Sequence, residues 1–253
     1  MTDIPEVNPV PDSSFSLPPD SVAYFTEYEH KRSRLTTFFR FLTVIPPAIV
    51  LFFWAIGALF VTVYAWFGLL FTAKFPEGAY GFLVRFHTYA ARVNAYGYLM
   101  TDKYPGYNAD EPYAAHLLIG PPKAEYSRLH TFFKWLLYIP FYIVAYVLVI
   151  VGGIVSIVSW FAIVITGKQP QGIQSALDFC FGYTFRLAVW YGLLTEDWPK
   201  FSDESVTRGL QEKGYQGTIP PSEPVASAGA AAPVEDAAPQ PPTPPAPPAP
   251  PSV

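Results

Sequence analysis

The feature that most constrains this chain is an internal duplication at a fixed offset. Ser33-Arg34-Leu35 returns as Ser127-Arg128-Leu129, and the same step of 94 residues carries Phe38-Phe39 onto Phe132-Phe133, Ile45-Pro46 onto Ile139-Pro140 and Trp66-Phe67 onto Trp160-Phe161. Thr72, Lys74, Pro76 and Gly78 map onto Thr166, Lys168, Pro170 and Gly172, Arg92 onto Arg186, and Thr101 and Pro105 onto Thr195 and Pro199. A gapless repeat of this length means two copies of one structural unit, so the architecture reduces to one copy and the way two copies meet.

Composition then places the unit. Hydrophobic residues make up 51% of the chain and charged ones 14%, against ~25% charged in an average globular domain. The apolar residues concentrate in Phe38 to Phe71, broken only by Arg40 and the Pro46-Pro47 pair, and in Trp135 to Ile165, which carries no charge. Each run exceeds the ~20 residues that cross ~30 Å of hydrocarbon, so both are read as membrane segments of a multi-pass protein of the cell membrane. The net charge of -4 hides a local reversal: Lys31, Arg32, Arg34 and Arg40 precede the first run, Lys123, Arg128 and Lys134 the second, and Lys74 and Lys168 follow them. The positive-inside rule keeps such clusters cytoplasmic. Cys180 is the single cysteine. Met1 to Asp20 is acidic, bears proline and lacks an apolar stretch, which leaves targeting to the first membrane segment.

Along the chain, residues 1–22 read as a disordered arm, 24–107 as the first membrane repeat, 108–117 as a connector, 118–201 as the second repeat and 202–253 as an Ala/Pro-rich disordered tail. That tail has too little apolar surface to offset its ordering entropy and reads as a polyproline spacer or a docking peptide. Within each repeat, Arg34 to Ile45 has helical spacing suited to entry through the headgroups. Pro46 and Pro140 stand where a new helix is expected to begin. From Pro46 to Phe71 is 26 residues, about 39 Å of helix. Trp66 and Trp160 near the end, with Lys74 and Lys168 beyond, read as interfacial anchors. The run stops at T-x-K-x-P-x-G, Thr72 to Gly78 and Thr166 to Gly172. A more polar second helix follows, Ala79 to Met100 and Ile173 to Leu194. It has a stripe of Gly81, Thr88, Tyr89, Arg92 and Tyr96, matched by Ser175, Gly182, Tyr183, Arg186 and Trp190, that suits close helix approach. The fold class is therefore an all-α integral membrane protein of two tandem repeats, each a long apolar helix followed by a more polar one, with disordered tails.

Three topologies fit. If the second helix spans, each repeat is a transmembrane hairpin, the repeats run parallel and the basic clusters before the long helices share one side, at the cost of burying Arg85, Arg92 and Arg186. If it lies on the surface, the repeats are antiparallel with basic flanks on opposite faces. If each apolar run is a re-entrant hairpin, turning near Gly57 and Gly152-Gly153, all flanks share one side. Parallel hairpins are favoured, because the charge pattern repeats and the small-residue stripe suits helix contact.

An Ile-Pro start, a long apolar helix closing on Trp-Phe, the T-x-K-x-P-x-G turn, a helix with one arginine and a closing Thr101-Asp102-x-Tyr104-Pro105 together resemble the bacterial membrane family known as domain of unknown function 4389. The second copy departs with Glu196 and Trp198 at the acidic and aromatic positions. The resemblance implies membrane residence and no catalytic activity.

Candidates for chemistry are few. His30, His87, His116 and His130 include no i, i+4 pair, and no nucleophile elbow, phosphate loop or nucleotide fingerprint occurs. The sequence therefore points to no catalytic residue, no metal site and no cofactor. Arg92 with Arg186 makes a repeated pair able to hold an anionic lipid or solute, and Asp178 is a carboxylate in a largely apolar helix. Lys74 with Asp102, and Lys168 with Glu196, bound the second helix of each repeat and meet only if that helix does not cross the bilayer. The expected function is a non-enzymatic scaffold or accessory protein of the bacterial envelope. Membrane lipids are its partners, with envelope proteins reached through the tail and no nucleic acid; the oligomeric state is left open. The alternative is a lipid or small-solute carrier with a path at the repeat interface lined by Arg92, Arg186 and Asp178.

Overall fold

The computed structural model describes residues 19–201 except 77, 109 and 110; the arm before residue 19 and the tail from residue 202 lie outside the described residues. The chain is mostly helical. In order it forms β1 (Val22–Thr26), α1 (Arg34–Phe38), α2 (Arg40–Thr43), α3 (Ile45–Thr72), α4 (Ala79–Gly97), β2 (Ala115–Ile119), α5 (Arg128–Thr166) and α6 (Gln171–Tyr191). The two short strands were not expected. β1 precedes the first long helix and β2 begins in the connector, and they pair antiparallel with Tyr24 opposite Leu117 and Ala23 opposite Leu118.

Both repeats start and stop their long helices alike. Ser33 and Ser127 cap α1 and α5 by accepting from the amides of Thr36 and His130, which satisfies one of the orphan donors of a helix start. Thr72 and Thr166 close them, each donating its hydroxyl one turn back, to Gly68 O and Ala162 O. Ala73 and Gly167 then leave in the left-handed conformation, at φ 58° and 73°. In between, the copies differ. Pro140 was expected to open a helix but lies inside a continuous α5, whereas the first copy breaks at Phe39 and Val44 before Pro46-Pro47. A lone proline removes one ladder bond; two in succession remove two and crowd two preceding carbonyls.

The start of each repeat meets the end of the other. Trp66 near the end of α3 donates to Thr131 O at the start of α5 (3.1 Å), and Trp160 near the end of α5 donates to Thr37 O in α1 (3.2 Å). The Arg32 amide bonds Gly167 O (3.0 Å) and the Tyr126 amide bonds Ala73 O (2.8 Å). All four contacts interchange under the 94-residue step, as an isologous twofold requires. The ribbon obeys the same exchange, since it turns the Tyr24–Leu117 pair into Leu118–Ala23. The repeats are therefore antiparallel, which corrects the parallel arrangement favoured from the charge pattern. Like flanks arise because a dyad puts the start of one long helix beside the end of the other.

A twofold that exchanges two antiparallel strands stands normal to their ribbon, so each exchanged pair of helices lies at one height along it. The layers are the β1–β2 ribbon, then α4 and α6, then α3 and α5, with β1 against α6 and β2 against α4. The core fills the middle: Ala58, Leu83, Ala91 and Ala95 meet Tyr24, Leu117, Leu177, Phe181 and Val189. The long helices touch it along narrow stripes of Ala58, Ala65 and Leu69 in α3 and their counterparts Gly152, Ser159 and Ile163 in α5. Close approach belongs to these residues, since Gly81 has open space beside it and Ser175 is exposed. Much of the remaining surface of α3 and α5 is exposed and apolar, including Phe52, Phe53, Leu59, Phe60, Ile143, Ile154, Ile157 and Ile165.

Candidate functional site

Each repeat ends by clasping its own beginning. The Asp102 carboxylate accepts from the Ser33 amide and Glu196 from the Ser127 amide, both at 2.7 Å. Arg40 donates to Tyr96 O (2.9 Å) and Thr101 O (2.6 Å), pairs with Asp102 and lies 4.0 Å over the Tyr96 ring. Its counterpart Lys134 donates to Thr195 O (2.7 Å) and stands 5.0 Å over Trp190. A guanidinium serves three acceptors where an ammonium on this path serves one carbonyl. In the second clasp Lys123 takes up the acids, pairing with Asp20 (2.6 Å) and Glu196 (3.2 Å). Burial opposes the Asp20 charge, but Lys123, Thr195 and the Glu196 amide hold its carboxyl below the usual value. The closing acids thus pair with Arg40 and Lys123, while Lys74 and Lys168 stand exposed past the ends of α3 and α5.

The remaining sequence candidates are dispersed. Trp66 and Trp160 join the repeats through the bonds given above. Arg92 donates to Asn108 O and Glu111 O and lies over Tyr113, and Arg186 donates to Phe201 O (3.3 Å). Each arginine is nearly buried and ties its helix to the segment that closes its own repeat. Asp178 lies elsewhere, accepting from the Thr26 hydroxyl (2.6 Å).

Around Asp178 the pseudosymmetry breaks. Gln174 donates to Thr26 and to Met100 O, Arg32 donates to Met100 O (2.6 Å) and to Gln169 (3.1 Å). Stepping by 94 residues turns Arg32, Gln169, Gln174, Thr26 and Asp178 into Tyr126, Phe75, Tyr80, Gly120 and Val84. That end is closed by aromatic packing and by Tyr80 donating to Gly120 O. One end of the core therefore holds a polar chain and its twin does not. Gln169 Nε2 and Gln174 Oε1 are buried without a hydrogen-bond partner. Burial pushes the Asp178 carboxyl up to about 7 against the bonds from Thr26. The sequence singled out Asp178 but missed Arg32, Gln169, Gln174 and Thr26. The signal was present as polar residues facing apolar ones when the copies are aligned.

A second break lies near the long helices. Arg40, Phe41, Val44, Gly97, Leu99, Ser156, Ile157 and Trp160 line a groove of about 250 Å³. At the other end Val44 and Gly97 become Tyr138 and Tyr191, whose rings pack at a tilt with centroids 4.3 Å apart. Among the described residues, no group of three or more His, Cys, Asp or Glu is placed to hold a metal ion.

The family model for the domain of unknown function DUF4389 matches residues 34–107 and 128–203, and the chain belongs to that family as two tandem copies. No curated protein and no solved structure matches the chain.

Proposed function

We propose that this is a non-enzymatic scaffold or accessory protein of the bacterial cell membrane, embedded through α3 and α5, with the Pro-rich tail reaching envelope partners. The observation that carries the reading is the long-helix layer. Arg40–Thr72 and Arg128–Thr166 are long and apolar enough to cross a membrane, and water does not tolerate a contiguous apolar surface of that extent. Their burial is low, 11% and 17% of the most apolar window, unlike a soluble core helix. The closing acids Asp102 and Glu196, with Arg40, Lys123, Arg92 and Arg186, are engaged in internal closure, which supports a framework more than a reaction centre.

The experiment is chemical crosslinking of the full chain in its native membrane beside a form ending at Lys213. A scaffold loses its crosslinked partners with the tail and stays in the membrane; unchanged partners without residues 214–253 refute the role given to the tail. The carrier reading is favoured by one observation, the polar chain around Asp178 at a single end of the core. It requires that Asp178→Asn abolish solute or lipid flux in vesicles, whereas the scaffold reading requires that partner capture survive that substitution.

A further inference from the structure

The dyad decides how such a protein meets a bilayer. If α3 and α5 crossed the membrane, the twofold would lie in the membrane plane and the whole three-layer stack would stand at hydrocarbon depth. The ribbon runs between the same two ends as the long helices: Asp20 pairs with Lys123 at one end and Lys31 bridges Lys168 at the other. Spanning would therefore immerse the His116–Glu27 pair (3.0 Å), with Glu27 about half exposed, and the exposed Arg85 in the first half of α4. A charge in hydrocarbon costs up to about 2.5–3.5 kcal/mol at the bilayer centre and less toward the interface. It would also split the basic flanks, with Lys31, Arg34 and Lys168 on one side and Lys74 and Arg128 on the other, against the positive-inside rule. Length adds to the difficulty. Trp135 to Thr166 is 32 charge-free residues, about 48 Å of helix, and fitting it into ~30 Å of hydrocarbon demands a tilt of roughly 50°, outside the range of about 0–40° for spanning helices.

We propose that α3 and α5 lie side by side along the membrane plane, sunk from one face into a single leaflet, with the dyad along the membrane normal and α4, α6 and the ribbon outside the hydrocarbon. This rests on the membrane reading above and deepens it by naming the partner surface, one leaflet containing anionic phospholipid. The layer suits it: its exposed face is apolar between the ends, and exposed cations stand at both ends, Lys31, Arg34 and Lys168 at one and Lys74 and Arg128 at the other. In this pose all of them meet headgroups on one side. A second copy laid face to face on the layer would instead bring cationic ends together whichever way it turned.

The test uses the full chain with Cys180→Ala and both Lys31→Cys and Glu125→Cys, two exposed positions at opposite ends, reconstituted in sealed vesicles of phosphatidylethanolamine and phosphatidylglycerol. After reaction with a membrane-impermeant maleimide, labels are counted per molecule by mass. An in-plane protein carries two labels or none, depending on which side it entered. One label per molecule means the ends lie on opposite sides and overturns the inference while leaving membrane residence standing. A chain that does not float with the vesicles, or that is a soluble dimer in plain buffer, overturns both.

Discussion

At the start of their long helices the two repeats part company. The first breaks its helix before Pro46-Pro47 and leaves Val44 and Gly97 small beside an open groove; the second runs straight through Pro140 and fills the same place with Tyr138 on Tyr191. Deeper in, the first copy's strand and the second copy's helix build the polar chain from Arg32 to Asp178, where the twin end is aromatic. What both copies keep is the frame: the serine caps, the closing acids, the paired tryptophans and the turn threonines. Retained features therefore specify how a repeat closes and meets its twin, and the differences mark where one end of the molecule can do something the other cannot.

The largest expected effect comes from breaking the clasps. Arg40→Ala strips three acceptors, including the Asp102 carboxylate, and should cost about 3 kcal/mol of stability, the low end for removing one partner of a buried pair. Lys134→Ala removes one carbonyl bond and a ring contact and should cost about 1–2 kcal/mol. Denaturant unfolding in detergent measures both. Equal losses would mean that the second clasp depends on Lys134 as heavily as the first on Arg40, contrary to the bonds seen.

Asp178 sharpens the comparison further because its counterpart Val84 does not titrate. A carboxyl at about 7 in the folded chain binds its proton more tightly there than in the unfolded chain, near 3.9. Between those values the native state holds more protons, so stability falls as pH rises from about 4 to 7 and levels above. Asp178→Asn should flatten that slope, and Val84→Thr should not alter it. An unchanged slope in the asparagine variant would place the titration elsewhere.

The frame was legible in the sequence to the extent that it is periodic. The offset, the two apolar helices and the turns after them are all written in residue type and spacing. The ribbon was not, since Val22–Thr26 and Ala115–Ile119 are five residues each and owe their strand form to packing on α6 and α4. The direction of the second repeat was hidden for a physical reason: a dyad reproduces every local signal at both ends, so charge flanks cannot tell parallel from antiparallel copies. The Asp178 chain is scattered over three segments that only the fold assembles. It shows in sequence solely as a mismatch between copies.

Gly152 and Ala58 occupy matching places where long helix meets second helix. A methyl at Gly152 would sit 3.1 Å from the Phe181 ring, so Gly152→Ala should destabilise by about 1–2 kcal/mol through overpacking. Gly81→Ala meets nothing within 4 Å and should gain some tenths of a kcal/mol from helix propensity. Opposite signs in thermal unfolding would place close approach on the long helices; a loss at Gly81 would restore it to the α4 stripe.

The smallest effect is also the most symmetrical test of the frame. Ala73 and Gly167 both end a long helix in the left-handed conformation, at φ 58° and 73°, yet only glycine adopts it without strain from a side chain. Ala73→Gly should relieve that strain and, after the unfolded chain's added entropy is subtracted, stabilise by under about 1 kcal/mol. Gly167→Ala should do the reverse and lose somewhat more, because its methyl would also come within 3.0 Å of Arg34 Nε, and Arg34 belongs to the other repeat. The asymmetry between gain and loss thus measures how tightly the second repeat's turn is pressed against the first repeat's start. Should the two shifts prove equal and opposite, the guanidinium yields without cost and Arg34 adds nothing to the contact between the copies at that end.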